Sequence, residues 1–201
     1  MKTAEEIFTA LEEMFGAKRE TLDRWGVTAV VSAGYLHNAV EFLKGTAGVE
    51  LNMLVDVAGI DYLTYPNYEG PRFAVSYSFK STVNPGLRFR LKVLVSEANL
   101  KVPTISDLYA NANWYEREVF DQFGIVFEGH PDLRRLLNHV EFVGHPLRKD
   151  YPAQKRQWLS TNDYLLPALE KRLETLGYRI VERSKEVGTN DNEFLEGSIK
   201  E

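Results

Sequence analysis

Three segments typical of β-strands follow one another in the first half of the chain, and they constrain the fold more than any other feature. The first, 51–63, is apolar enough to be a central strand. Segments 72–79 and 87–95 alternate apolar and polar residues, as antiparallel strands with one buried face do. Turn-forming residues at 66–70 and 84–86 separate them. The spacing therefore predicts a mainly antiparallel sheet.

Helical patterns flank these strands. Thr3 and Glu6 have the spacing of a capping box, and apolar residues then recur with a helical period as far as Gly16, a natural stop. A short strand at 28–32 and a second helix at 33–44 follow. The region before the three strands is thus predicted as helix, strand, helix.

A third helical stretch is predicted over 102–123, with a break near 111–113. Together with the earlier elements it completes the order helix, strand, helix, three strands, helix, which is typical of an α+β domain. We therefore predict a compact α+β domain over 1–125. Its mainly antiparallel sheet would have about four strands, with helices packed on one side.

Regular patterns end after residue 125, where prolines become frequent. Each of three pairs favours extended or turn geometry before its proline: His130-Pro131, His145-Pro146 and Tyr151-Pro152. The region nevertheless keeps apolar side chains at Phe127, Leu133, Leu136, Leu137, Phe142, Leu147, Tyr151 and Trp158. This content is too high for a solvated linker, and long irregular segments are usually functional or disordered. We predict that 126–160 is an extended C-terminal arm resting on a partner.

The remainder, 161–201, is predicted as a short helix followed by a mobile polar tail. Pro167 suits the first position of a helix over 167–176. Residues 179–182 have the pattern of a short strand, and 184–201 are polar.

Composition excludes several classes of site. The chain has no cysteine, which excludes disulfides, thiolate zinc sites and cysteine-ligated iron–sulfur clusters. A net charge of −5 argues against a nucleic-acid-binding protein, which usually has a concentrated basic face. No apolar run approaches the roughly 20 residues that span a bilayer, and the acidic N-terminal segment lacks a signal-peptide pattern. We expect membrane association only through a complex.

Two enzymatic interpretations of the charged residues are weak. Glu116 and Glu118 could form a general acid/base pair, but residues two apart on a helix point to different faces. His130 and His145 could bind a metal in an independent hydrolase, but their spacing matches no established ligand pattern. Each histidine precedes a proline and is better explained as a turn residue whose ring hydrogen-bonds locally. We assign no catalytic, cofactor-binding or metal-binding residue.

Two basic clusters favour a protein interface, although a solvated surface is the alternative. Arg134 and Arg135 lie in the first cluster, and Arg148 and Lys149 in the second. On an acidic protein such clusters suggest contact with carboxylates of a partner, which arginine binds with defined orientation. The candidate interface residues are Glu116, Arg117, Glu118, Asp121, His130, Pro131, Arg134, Arg135, His145, Pro146, Arg148, Lys149, Asp150 and Tyr151.

Two long motifs occur in an order that resembles a known family. The first comprises Glu116-Arg117-Glu118, Asp121, Phe123-Gly124-Ile125, His130-Pro131, Arg134 and Leu136-Leu137. The second is GHPLRKDYP at 144–152, and DYLTYP at 61–66 is also similar. These stretches resemble the small hydrophilic C subunit of NADH–quinone oxidoreductase, respiratory complex I. Gln122 departs from the pattern, because the family usually has an apolar residue there.

The resemblance implies a non-catalytic scaffold subunit without a cofactor of its own. Flavin mononucleotide (FMN) and iron–sulfur clusters would reside in other subunits. Its partners would be the complex I subunits D and B, which carry the quinone site and the terminal cluster respectively, and other peripheral-arm subunits. The chain would lie on the cytoplasmic side of the bacterial inner membrane, bound peripherally. The alternative is the equivalent subunit of a related membrane-bound hydrogenase or other ion-pumping dehydrogenase, and a metal-dependent hydrolase is a remote one.

Overall fold

The computed structural model describes most of the chain. The described residues are 2–20, 27–155, 157 and 159–178. The predicted strand at 179–182, the predicted tail at 184–201 and Trp158 lie outside them.

Contacts divide the chain into two units. The first unit comprises the described residues up to Asn138 together with His145–Asp150. The second comprises His139–Gly144 and the described residues from Tyr151 onward. Packing within the chain thus groups 126–138 and 145–150, both of which we assigned to the arm, with the first unit. The predicted domain boundaries and the partner-binding role of 126–160 stay predictions.

The first unit contains seven strands and three α-helices among its described residues. In chain order they are α1 (Ala4–Phe15), β1 (Lys18–Arg19), β2 (Thr28–Val31), α2 (Leu36–Gly45), β3 (Met53–Asp61), β4 (Phe73–Lys80), β5 (Arg88–Val95), β6 (Lys101–Pro103), α3 (Ala112–Phe123) and β7 (Val126–Glu128). The capping box at the start of α1 is present, since Thr3 and Glu6 exchange hydrogen bonds. Gly16 ends the helix with a left-handed φ of 62°.

Five strands form the main sheet in the order β1-β2-β5-β4-β3. Three of its four pairings are antiparallel, and β2 pairs with β5 in parallel. The predicted α+β class with a mainly antiparallel sheet is therefore confirmed. However, β3, which we predicted to be central, is an edge strand. Its apolar content reflects cover by α3, because Leu54 and Val57 are buried whereas Met53 and Val55 are exposed.

The core lies on one face of this sheet. Tyr77 of β4 is opposite Leu91 of β5, and Val75 is opposite Val93. These side chains are buried together with apolar residues of α1 and α2, including Leu11. Every second side chain along each strand points to this face, which is why apolar and polar residues alternate in the sequence of these strands.

The third predicted helical stretch begins later than expected. Residues Lys101–Pro103 form β6, which pairs in parallel with β7. The backbone N–H of Thr104 donates to the carbonyl of Glu128 (2.9 Å) and continues this contact. Because Val102 and Ile105 are fully buried, tertiary packing outweighs the local helical pattern here. The helix itself, α3, starts only at Ala112.

The second unit contains one described helix, α4 (Asn162–Thr175). Our prediction that this helix starts at Pro167 is wrong, since Pro167 lies inside it. The helix starts earlier because the backbone N–H of Leu165 already donates to the carbonyl of Thr161 (3.1 Å). Nearly all described side chains of α4 are exposed. Among the described residues, no helix is long and apolar enough to cross a membrane.

Candidate functional site

Helix α3 carries most of the first motif and packs closely on the edge strand. A side chain at Gly59 of β3 would collide with the ring of Phe123. The missing side chain thus lets the C-terminal end of α3 lie against the strand. Tyr115 near the other end donates its hydroxyl to the carbonyl of Val55 (3.2 Å). The helix is therefore fixed, and its charged residues have defined positions.

Asp121 of α3 holds the loop that follows β7. Its buried carboxylate accepts hydrogen bonds from the side chains of Arg135 (2.7 Å) and Asn138 (3.0 Å). It also accepts from the backbone N–H groups of Leu136 (3.1 Å), Leu137 (2.8 Å) and Asn138 (2.8 Å). Burial by itself raises the pKa of Asp121, but these donors outweigh it and lower the pKa to about 2.

Arg117 holds the same loop one helical turn earlier. Its Nε donates to the carbonyl of Arg134 (3.2 Å) and its Nη2 to that of Arg135 (3.3 Å). The guanidinium also lies 5.0 Å from the centre of the Trp114 ring. Arg117 and Asp121 have the spacing of an ion pair on a helix, but each instead binds the 134–138 loop. The two charges therefore anchor this loop to α3.

Glu116 faces the opposite way, into the protein. One carboxylate oxygen accepts from the backbone N–H of Ile105 (2.8 Å), and the other accepts from the Thr104 hydroxyl. The side chain is completely buried. Burial is the main cause that raises the pKa of Glu116 to about 7, with a smaller contribution from the charge of Asp107. This carboxyl fixes the start of the 105–111 connection.

His130 is a turn residue, and its ring ties the turn to α3. The backbone N–H of Asp132 donates to His130 Nδ1 (3.0 Å), so the proton must be on Nε2. That N–H donates to the carbonyl of Asn113 (3.1 Å). The ring side chain is completely buried, with Nε2 4.0 Å from a carboxylate oxygen of Glu116. The part of the first motif that follows β7 is thus hydrogen-bonded to α3 near both ends of the helix.

The second motif contacts the C-terminal end of the same helix. His145 Nδ1 donates to the carbonyl of Asp121 (3.0 Å), and Arg148 Nε donates to that of Phe123 (2.6 Å). These are carbonyls that the helix itself leaves unpaired. Burial lowers the pKa of His145. Gly124 makes this approach possible, since a Cβ there would lie 2.6 Å from His145 Nε2 and its φ is 77°.

Asp61 and Arg72 form a further anchor for the second motif. Arg72 donates through Nε and Nη2 to both carboxylate oxygens of Asp61 (3.0 Å each). The backbone N–H of Lys149 donates to Asp61 (2.8 Å), and Asp150 lies 2.8 Å from Arg72 Nη2. Glu97 completes the group at 2.6 Å from Arg72 Nη1. Arginine in a bidentate pair fixes orientation as well as distance.

The structure separates the candidate interface residues into two groups. Many of the charged ones, including Glu116, Arg117, Asp121 and Arg135, bind within the chain. Others are exposed: Glu118, Pro131, Arg134, Lys149 and Asp150. Pro146 is half-buried, and Tyr151, in the second unit, accepts a hydrogen bond from Gln157 (2.8 Å). Their contact with a partner stays a prediction.

Several residues important to this arrangement are not among the predicted site residues. Arg72, Thr104 and Asn138 are absent from the candidate set, and Asp61 enters only within the stretch DYLTYP. Their partners lie far along the chain; Asp61 and Lys149 are 88 positions apart. A carboxylate at the end of a strand followed by an arginine at the start of the next was the available local signal for the Asp61–Arg72 pair.

His130 and His145 do not share a site. Their rings donate to the carbonyls of Asn113 and Asp121, which lie at opposite ends of α3, about 12 Å apart along the helix axis. Within the part of the chain that the structure describes, no group of three or more metal-ligating side chains is arranged to hold an ion.

Comparison with known proteins identifies relatives over most of the chain. The family model described as the 30 kDa subunit of respiratory-chain NADH dehydrogenase matches residues 29–157. The C subunit of the NADH-quinone oxidoreductase of Burkholderia mallei (strain SAVP1) is 44% identical over 147 residues, which is 71% of this chain and 73% of the relative. The corresponding protein of Burkholderia pseudomallei (strain 668) has the same identity and coverage.

Two solved structures are similar. A trypsin-resistant fragment (1-134) of Nqo5 is 36% identical with a TM-score of 0.56, and the match covers 64% of this chain and 98% of the fragment. A chain of a membrane-bound sulfane sulfur reductase, an archaeal respiratory membrane complex, shares the fold at 22% identity and a TM-score of 0.57, over 92% of this chain and 98% of that one. With the family model covering more than half of its residues, the chain belongs to the family of the 30 kDa subunit of respiratory-chain NADH dehydrogenase.

Proposed function

We propose that this chain is a non-catalytic scaffold subunit in the quinone-reducing module of a proton-pumping NADH:quinone oxidoreductase. Electrons would pass from NADH through FMN and iron–sulfur clusters in other subunits to quinone. Membership of the family, and relatives named as the C subunit of this enzyme, support the assignment. The use of Glu116, Asp121 and Arg117 to hold loops supports a structural rather than a chemical role.

One observation carries the scaffold proposal: of the described residues after Phe127, none is buried as a whole. Apolar side chains of α4, such as Leu165 and Leu169, are exposed. Contiguous exposed apolar surface of this kind marks protein interfaces. We infer that 126–178 is covered in the assembled complex by the quinone-site subunit and by the terminal-cluster subunit.

The location follows from these partners. We propose that the chain binds peripherally, through the complex, on the cytoplasmic side of a bacterial inner membrane. The exposed members of the candidate interface set, such as Arg134 and Lys149, would contact the partner directly. The buried members would hold the 134–138 loop and the 145–150 segment in the shape that the partner meets.

Affinity purification of the tagged full chain from solubilised membranes tests this function. We expect the quinone-site and terminal-cluster subunits to co-purify, with FMN, iron–sulfur clusters and NADH:quinone reductase activity. Replacing Leu165 and Leu169 of α4 with serine should reduce recovery of the quinone-site subunit, whereas Val83→Ser, an exposed site in the β4–β5 turn, should not. Recovery of a nickel–iron hydrogenase subunit instead would assign the chain to a related complex. If neither the quinone-site subunit nor a nickel–iron hydrogenase subunit is recovered, the proposal is contradicted.

A further inference from the structure

An exposed indole lies beside the charged residues of α3. Trp114 is 59% exposed, and Leu137 of the 134–138 loop is 66% exposed. The loop is held against α3 by Arg117 and by Asp121, which is about 10 Å along the helix axis from Trp114. Trp114 contacts Arg117, Arg117 holds Arg134 and Asp121 holds Leu137, and we call these four residues, Trp114, Arg117, Arg134 and Leu137, the Trp114–Leu137 patch. Its position is set by the hydrogen bonds of the loop.

The guanidinium within this patch has an unused edge. Arg117 donates through Nε and Nη2 to backbone carbonyls, and no carboxylate of the described residues lies within ion-pair distance of it. Its Nη1 has no hydrogen-bond partner among them. The buried side-chain polar atoms without partners in this part of the chain are the hydroxyls of Tyr68 and Tyr77, so Nη1 reaches solvent. Arg117 as a whole is only 7% exposed, so this edge is the part of the cation that solvent reaches, next to the indole.

The acidic side chains near Arg117 are paired with other residues or point elsewhere, so the charge of Arg117 is available to a further anion. Asp121 is paired with Arg135, and Asp132 is paired with Arg134 (2.9 Å). Of the two other acidic residues on this part of α3, Glu116 is buried and accepts from Thr104 and Ile105, and Glu118 follows Arg117 and points to a different side of the helix. A charge-assisted hydrogen bond from arginine to a carboxylate is a strong contact, and arginine also stacks on aromatic rings. Trp and Arg are also the residues most enriched in the energetic centres of protein interfaces.

We propose that the Trp114–Leu137 patch is a docking site for an acidic segment of a partner protein. An apolar side chain of that segment covers Trp114 and Leu137, and an adjacent aspartate or glutamate binds the Nη1 edge of Arg117. This inference rests on the proposed function, because it takes the partner to be another subunit of the same complex.

Cysteine labelling tests the patch, because the chain has no cysteine of its own. Leu137→Cys is compared with Val83→Cys, a control side chain that is similarly exposed at 52% in the β4–β5 turn. In the isolated full chain, both cysteines should react rapidly with a maleimide. In the complex purified in detergent, reaction at 137 should be slowed by about tenfold, since the centre of an interface excludes water. Equal rates at 137 in both states would overturn the proposal.

Photo-crosslinking identifies the occupant. p-Benzoyl-phenylalanine in place of Trp114 should crosslink, in intact membranes, to a peptide of another subunit that contains aspartate or glutamate. A crosslink to a second copy of this chain, to lipid, or to a peptide without acidic residues would overturn the proposal. If the quinone-site subunit co-purifies but position 137 stays reactive, the patch alone is wrong. If neither the quinone-site nor the terminal-cluster subunit co-purifies, the proposed function itself fails.

Discussion

Glu116 and Asp121 lie five residues apart on the same helix, and both carboxylates are completely buried, yet they differ widely in acidity. The pKa of Glu116 is raised to about 7, whereas that of Asp121 is lowered to about 2. Burial raises the pKa in both cases. The difference lies in the number of donors. Glu116 accepts from one N–H and one hydroxyl, whereas the side chain of Asp121 accepts from five donors of the 134–138 loop, one of which is the Arg135 guanidinium.

This contrast shows that burial does not set the role of a carboxylate in this protein. Asp121 is an ionised anchor, and its negative charge organises the 134–138 loop. Glu116 is close to balance between its two forms at neutral pH, and its neighbours include the buried phenol of Tyr77, whose own pKa is raised by burial and further by the charge of Glu116. The strength of each anchor can therefore be tested separately.

The largest effect is expected from removing the donor-rich carboxylate. Asp121→Ala removes the carboxylate that accepts from the side chains of Arg135 and Asn138 and from three backbone N–H groups, and we expect a loss of about 4 kcal/mol in the free energy of unfolding. Chemical denaturation of the isolated chain measures it. Glu118→Ala, on the exposed side of the same helix, is the matched control and should change stability by less than about 0.5 kcal/mol. A similar loss in both variants would contradict the anchoring role.

The next effect is a pH dependence caused by Glu116. Its pKa is raised on folding from 4.5 to about 7, so its protonated form favours the folded state, and this stability is full below pH 4.5 and is lost as pH rises through 7. The total is about 3 kcal/mol. Glu116→Gln keeps the shape of the protonated side chain and should remove this slope. Unfolding curves of the wild type and of Glu116→Gln at pH 5 and pH 8 measure this pH dependence. An equal change in the free energy of unfolding in both proteins would contradict the role of Glu116.

The pH dependence caused by Asp121 has the opposite direction. Because the pKa of Asp121 is lowered on folding from 3.8, its contribution is fully present above pH 3.8 and is lost as pH falls through about 2. Acid titration of the wild-type chain against Asp121→Asn should show this loss in the wild type alone. A wild-type midpoint near the ordinary aspartate range would mean that the loop donors are weaker than their geometry indicates.

A smaller effect is expected at the junction of the two motifs. Gly124→Ala places a side chain against His145 and Arg148 at a left-handed φ, which should cost about 2 kcal/mol. Asp121 should keep its low pKa in this variant, since the 134–138 loop does not depend on Gly124. Chemical denaturation measures the first quantity, and two-dimensional NMR of the aspartate carboxyl carbons measures the second. Gly16→Ala, also at a positive φ but with open space around it, separates strain from collision.

The smallest effect is expected from removing the charge of Asp107, which acts on Glu116 from a distance. Asp107→Asn removes the negative charge that helps to raise the pKa of Glu116, and the pH midpoint of the Glu116-dependent transition should fall by less than about one unit. Asp107 also pairs with His37 (2.7 Å) at the surface, and loss of such a pair costs about 0.5 kcal/mol or less. An unchanged midpoint would leave burial as the sole cause.

The helix cap at Thr3, the strands β4 and β5 and the α+β class were predictable because their signals are local or periodic. The position of β3 at the edge was not, since apolar content cannot distinguish cover by a strand from cover by α3. The donors of Asp121 and Glu116 were also out of reach, because they come from backbone groups that approach only after folding. The family motifs singled out these residues without indicating that many of them bind within the chain.

Asp121 also holds both residues that flank the segment 139–144 in the chain. Its carboxylate holds Asn138, the residue before that segment, and its carbonyl holds His145, the residue after it. The ends of the segment are therefore closed by a single residue, and the conformational entropy of closing this loop is lost when the chain folds. Val140, which is 84% exposed, is presented by a short closed loop. A protein that contacts Val140 orders fewer degrees of freedom than one that binds an open chain, so less of the contact energy is offset by entropy.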